Sequence, residues 1–291
     1  MHFLIVSRVS IPAKDRTLPC WEYLRSLGHT VTVEHPDSPA IMQRPDVIIS
    51  MGVTIMDETF AALKRFPGVP MYAYNWDVYA WTWTNPRPGE YDYRRYGELL
   101  RLAKEIWVPS YCTGQRCEQW YHLRNWHVIL SACPWWEHDN IRDDGYALCC
   151  LREIPDPWWG VFEKACEEMK IPYKCTRHEV SYEAYQDAVA GCRFLCAPLY
   201  ELSTGGLSLM EGYYHGKPVL ISDSQWNGGR DYFKERAHYF KHGDVGAFER
   251  ALVKMHGLYR NHVPDRAANR TWIRENFSDK RMVDDMLRRV L

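Results

Sequence analysis

"RFLCAPLYELSTGGLSLMEGYYHGKPVLISD", residues 193–223, sets a short apolar run, a turn with two glycines, a helix-length segment and a second apolar run in succession. Read as strand, turn, helix and strand, it is one unit of a parallel α/β sheet. In such sheets ligands sit beyond the carboxyl ends of the strands, against helix amino ends. Gly205 and Gly206 carry no side chains there, so backbone N–H groups can approach an anion closely. A helix starting near Gly206 adds its unpaired amides and the positive end of its dipole. Glu211 lies about one turn further in. A carboxylate at that depth would repel a phosphate in contact, yet it can accept both hydroxyls of a ribose lying further along. Gly216 ends the helix, and Pro218 prevents its continuation. On spacing alone, the same pattern also suits a packing turn with a surface acid at 211.

Working outward, strand-like and helix-like runs alternate along the whole chain. "HFLIV" (2–6), "TVTVE" (30–34), "DVIISM" (46–51), "VPMYAY" (69–74), "EIWVP" (105–109) and "WHVIL" (126–130) read as strands. Helical stretches fall near 17–27, 56–66, 93–104 and 110–123. The segment "SACPWWEHDNIRDDG" (131–145) breaks the rhythm with Pro, Gly and acids, and reads as a linker. The alternation restarts with "YALCCL" (146–151), "PYKCTRH" (172–178), "RFLCAP" (193–198), "PVLISD" (218–223) and "AHYF" (237–240). Ser181, Asp244 and Ser278 are placed to cap helices. The expectation is an α/β chain of two Rossmann-like domains facing each other across a cleft. Residues 1–138 form the first domain and 139–276 the second, with a last helix in 277–291 returning to the first.

The composition narrows the possible functions. Across 291 residues acids and bases nearly cancel, at a formal net charge of −1, so no global field draws in nucleic acid or membrane. The apolar run in "MHFLIVSRVS" is short for a secretory signal, and no stretch approaches the ~20 apolar residues of a membrane span. Ten cysteines in that setting suggest reduced thiols and a cytoplasmic protein. No membrane span is expected; a peripheral membrane contact stays open.

The 193–223 stretch resembles the donor-site signature of the family 4 glycosyltransferases of the GT-B fold. The likeness continues through "NGGRDYF" (227–233), "HYFKHGDVGAFERAL" (238–252) and "NFSDKRMVDDML" (276–287). Upstream it takes in "VSYEAYQDAVAGCRFLCAPLYE" (180–201) and "AKEIWVPSYCTGQRCEQWY" (103–121). The resemblance implies that Gly205, Gly206 and Leu207 offer backbone amides to a donor diphosphate, that Glu211 holds the ribose, and that Ser203 or Thr204 adds a hydroxyl. The family places two acids with seven residues between them. Here nine residues separate Glu201 from Glu211 and Ser203 occupies the regular place, so either an insertion brings Glu201 to the sugar or that contact is lost. Arg152 stands where the family has a cation for the leaving diphosphate, while the companion Lys position holds Pro157. Retention of configuration is implied, with no metal and no cofactor beyond the nucleoside-diphosphate sugar itself. Where the family often presents a polar residue in the first domain, this chain has Asn75 and Asp77. Asp77 either orients an acceptor hydroxyl or caps its turn.

Trp76, Trp81 and Trp83, then Trp135 with Trp136, Trp158 with Trp159, and Trp226 each follow a predicted strand. Aromatic faces at those ends can stack on sugars or bases, which favours Asn75, Trp76 and Trp81 as acceptor contacts. They can equally pin loops to the core. Cys112, Cys117, His122 and His127 recur every five residues. On a helix such steps rotate by about 140° each, so these side chains fan out rather than converge on a metal. "CC" (149–150) reads as small core hydrophobes and "RRYGELLRLAK" (94–104) as a basic, solvent-facing helix. The resulting expectation is a glycosyltransferase acting on a glycan, a small molecule or a hydroxymethylated DNA base. A sugar-nucleotide epimerase of the same fold and a non-catalytic nucleotide-sugar-binding module are the rivals.

Overall fold

Strands covered on both faces need near-continuous apolar runs rather than alternation, and central strands of this protein such as His2–Val6, Val47–Met51, Met71–Tyr74 and Phe194–Ala197 are buried along their whole length. The computed structural model describes residues 1–7, 18–34, 43–75, 92–133, 137, 140–150, 158–176, 181–198, 206–260 and 265–291. They divide into two units, Met1–Ala132 with Phe277–Leu291, and Cys133–Asn276.

In the first unit the chain runs β1 (His2–Val6), α1 (Leu18–Ser26), β2 (Thr30–Glu34), β3 (Val47–Met51), α2 (Met56–Arg65) and β4 (Met71–Tyr74). It continues with α3 (Tyr93–Leu102), β5 (Glu105–Val108), α4 (Tyr111–Arg116) and β6 (Trp126–Val128). The sheet order is β2-β1-β3-β4-β5-β6, with every pair parallel. The helix expected through residue 123 departs from α form after Arg116. Cys117–Tyr121 make a π-helical turn that ends on His122 at φ 57°. That wider turn keeps Cys117 and Tyr121 both buried in the core. The basic face of α3 is exposed at Arg94, Arg95 and Arg101, with Arg95 paired to Asp57.

The second unit runs β7 (Ala147–Cys150), α5 (Trp158–Glu168), β8 (Tyr173–Thr176), α6 (Tyr182–Gly191), β9 (Phe194–Ala197), α7 (Leu207–Tyr214) and β10 (Val219–Asp223). Then come α8 (Gly229–Phe233), β11 (His238–Lys241), α9 (Val245–Leu258) and α10 (Arg266–Asn276). Its parallel sheet is ordered β11-β10-β9-β7-β8. The chain therefore builds outward from β7 to β8, then reverses and adds β9, β10 and β11 on the other side. Neighbouring β7 and β9 are the point of reversal. Ser181, Asp244 and Ser278 accept backbone N–H bonds from Ala184, Ala247 and Arg281 at the starts of their helices.

The last helix, α11 (Asp279–Val290), belongs to the first unit. Met282, Val283 and Met286 on one of its faces share a core with Phe3, Ile5, Trp21, Leu24 and Ile49. Its far end is fixed by charge. Arg289 Nε lies 3.0 Å from both carboxylate oxygens of Glu105, which also accepts from the Trp107 indole at 2.9 Å and meets His127 Nε2 at 2.8 Å. Burial pushes the Glu105 carboxyl up, but Arg289, Trp107 and His127 together outweigh it and hold it below its ordinary value. A depressed carboxyl contributes stability above the unfolded-state pKa and loses it as pH falls through the folded-state value. Glu105→Gln will therefore lower the urea midpoint at neutral pH, and its deficit against wild type will close as the pH falls below the ordinary carboxylate range. A deficit constant across that range would show that the charge is not what anchors α11.

Candidate functional site

Helix α7 and strand β9 meet at one close approach. A Cβ added at Gly212 in α7 would stand 2.3 Å from Leu195 Cδ1 of β9, so the helix sits on the strand where it has no side chain. Leu209, Met210, Tyr213 and Tyr214 are buried around that contact. The helix stops at Gly216, whose φ of +80° suits glycine best. There the N–H groups of Gly216 and Lys217 return to the carbonyls of Tyr213 and Gly212, each at 2.9 Å. Lys217 then turns inward. Its ammonium donates to the carbonyls of Arg142 at 2.5 Å and Cys192 at 2.6 Å, and burial draws its pKa down. It fastens the exit of the helix to the segment before β7 and to the end of α6.

At the other end, Gly206 is the N-cap, with φ +80° and no side chain to occupy the first amides. By helical geometry the N–H groups of Leu207 and Ser208 have no acceptor within α7. Gly206, Leu207 and Ser208 are half-buried. The carbonyl of Gly206 accepts from Leu209 at 2.9 Å and Met210 at 3.1 Å, so the helical register starts at this residue.

Glu211, little more than a turn along, is 1% exposed. It is not the surface acid that its sequence also allowed. Its Oε2 accepts a hydrogen bond from the Tyr185 hydroxyl of α6. Cys150, the last residue of β7, lies close enough that the Glu211 charge adds to the burial that raises its thiol pKa, against an opposing hydrogen bond from Thr176 at the end of β8. Glu211 thus stands with Cys150 and Thr176 at the carboxyl ends of β7 and β8, beside the β7/β9 reversal where doubly wound sheets take their ligands. On the next strand over, the second glycine-rich turn also falls at a carboxyl end. Asn227 Nδ2 donates to the Ser222 carbonyl at 3.0 Å, and Asn227 Oδ1 accepts from Gly229 at 2.8 Å as α8 begins.

Of the residues singled out in the sequence, Gly206, Leu207 and Glu211 are brought together on α7. Asn75 is elsewhere and wholly buried. Its Nδ2 donates to Cys117 Sγ at 3.2 Å and its Oδ1 accepts from Tyr96 at 3.1 Å, so the side chain ties β4 to α3 and the π turn. Trp76, Asp77, Trp81, Trp83, Trp135, Trp136, Arg152, Glu201, Ser203, Thr204 and Gly205 lie outside the described residues. Tyr185 was missed. The available signal was the spacing of Tyr182 and Tyr185 on a Ser181-capped helix, which places two aromatics on one face but does not say what that face meets.

The cysteines of this unit gather in its core. Cys175, Cys149 and Cys196 are neighbours in register across β8, β7 and β9, and Cys166 of α5 joins the same cluster. Cys112 bonds with Ser110 and His127 with Glu105, away from one another's partners. Among the described residues no group of three or more His, Cys, Asp or Glu could hold a metal ion.

No family model matches the chain, and no curated protein matches it either. Solved structures do. A sucrose-phosphate synthase from Thermosynechococcus elongatus is 12% identical with a TM-score of 0.67, over 99% of this chain and 98% of that one. A glycosyltransferase from Rickettsia africae is 11% identical at 0.67, over 99% and 97%. An Anabaena protein, HepE, in complex with UDP and glucose, is 10% identical at 0.66, over 100% and 99%. The chain has the GT-B fold. Identities this low speak to the fold alone, an α/β chain of two Rossmann-type units. Among the described residues no helix is long and apolar enough to cross a membrane.

Burial sets the behaviour of the thiols beside the site. It pushes those of Cys149 and Cys196 well up, and those of Cys166 and Cys192 up to about 12. At pH 8 these four remain protonated and inaccessible, and a thiol reagent will modify them only after the protein unfolds. Mass mapping of native and denatured samples checks this; rapid native labelling of Cys149 or Cys196 would contradict their place in the sheet.

Proposed function

We propose that this chain is a glycosyltransferase that takes its sugar from a nucleoside diphosphate bound at the amino end of α7. The observation that carries the reading is the buried Glu211 carboxylate, set one turn behind a glycine-capped helix amino end beside the sheet's reversal point. Removing a carboxylate from water without purpose is costly. Placed behind an anion-binding turn, it can accept the hydroxyls of a ribose whose diphosphate lies on the amides of Leu207 and Ser208. Gly205, Ser203 and Thr204 would extend that cradle.

The chemistry follows from the charge that develops. When the bond from the sugar to the diphosphate breaks, negative charge builds on the leaving oxygens. Preorganised N–H groups and a helix dipole stabilise it without a reorganisation cost at that moment. Arg152 is the side-chain cation we assign to the same charge, and Asp77 the group that would orient or deprotonate an acceptor hydroxyl. Glu201 or Ser203 would face the transferred sugar. Retention of configuration and operation without a metal come from the family 4 resemblance. The acceptor is a hydroxyl on a glycan, a small molecule or a modified DNA base, with Trp76 and Trp81 near its ring. The near-neutral charge favours an acceptor other than DNA.

The test is a panel of labelled nucleotide sugars, read by thermal shift and by product analysis. Free diphosphate with the sugar transferred or hydrolysed supports the proposal. An isomerised nucleotide sugar would assign an epimerase, and unchanged ligand with a raised melting temperature a binding module. Glu211→Gln, which keeps the shape and removes the charge, will weaken nucleotide binding by about tenfold or more while the protein stays folded. Wild-type affinity in that variant would remove α7 from the donor site.

A further inference from the structure

Resting on the reading of Glu211 as the ribose carboxylate, we propose that Tyr185 is its positioning residue, and so sets the preference of the site for a ribose over a deoxyribose. The two side chains come from different helices, α6 and α7, and meet through the Tyr185 hydroxyl and Glu211 Oε2. A carboxylate that is 1% exposed has its direction set by the donors that reach it. The phenol supplies one O–H, while an ionised carboxylate offers about four acceptor positions. The bond therefore fixes the rotamer of Glu211 and still leaves it capacity to accept sugar hydroxyls.

Tyr185 is itself held. Its ring stacks on that of Tyr182, with centroids 6.0 Å apart and planes 24° from parallel. Ser181 caps the helix that carries both. Tyr185 is half-buried, whereas Tyr182 is 47% exposed. This leaves the phenol of Tyr185 little freedom to leave Glu211, and makes Tyr182 the natural control. Without the phenol, the carboxylate loses the donor that sets its direction, and the hydroxyls it should receive meet a differently aimed group.

The experiment compares UDP, ADP and GDP with dUDP, dADP and dGDP, which lack only the 2′-hydroxyl. Affinities are measured by calorimetry on the full chain for each nucleotide that binds. Wild type will favour the ribonucleotide by about tenfold. Tyr185→Phe will bring the ratio close to one while retaining affinity for the deoxynucleotide, and in turnover it will raise KM for the nucleotide sugar with kcat little changed. Tyr182→Phe will leave the ratio at its wild-type value. A full ribose preference in Tyr185→Phe, with the preference lost in Glu211→Gln, overturns the role of Tyr185 and leaves the ribose reading standing. A preference that survives Glu211→Gln overturns the ribose reading itself.

Discussion

The arrangement of the candidate site depends on one steric constraint, the seating of α7 on β9 where Gly212 meets Leu195. A side chain at 212 would occupy the space of Leu195, so only glycine lets helix and strand approach this closely without a shift. That approach sets where the helix begins and which face it turns inward. Gly206 then falls at the open end of the helix and Glu211 on its buried face. Gly216 and Lys217 close the far end against the carbonyls of neighbouring segments. A sheet that reverses its winding between β7 and β9 supplies the second half of the constraint, because only there do two adjacent strand ends lead into connections on opposite sides.

Two buried ionisable side chains in this short stretch are handled in different ways. Lys217 spends its donors on main-chain carbonyls, and burial still lowers its pKa. Its duty is structural, since the bonds it makes join three segments of the second unit. Glu211 meets a phenol that supplies only one of the hydrogen bonds a carboxylate can accept. Lys217 thus grips main chain, whereas Glu211 is reached by a side chain of a neighbouring helix. In the first unit Asn75 has its amide used at both ends.

Much of this was legible locally. The strands declared themselves by runs of apolar residues, and the caps at Ser181, Asp244 and Ser278 by side chains that reach only two or three residues along. The glycines of α7 announced a turn and a stop. What they could not announce was the partner of each element. Glu211 and Tyr185 are 26 residues apart in the chain, and Glu105 and Arg289 are 184 apart. No spacing rule reaches such distances. The π turn at Cys117–Tyr121 was hidden for a related reason. Its local pattern suits an ordinary helix, and the gain from burying Cys117 and Tyr121 together arises only in the packed core.

By itself, the sequence determined the α/β class, the alternation of elements and the presence of a glycine-capped helix with an acid one turn inside. These follow from periodicity, from the stereochemistry of glycine and proline, and from side chains that cap their own helix. Only the tertiary structure decided that the acid at 211 is buried rather than solvated, and that a tyrosine from another helix holds it. It also decided which face of the last helix, expected to return to the first domain, enters the core of that unit. The reason is physical: burial and long-range hydrogen bonds depend on which surfaces meet, and a local pattern records the surface an element offers without recording what covers it.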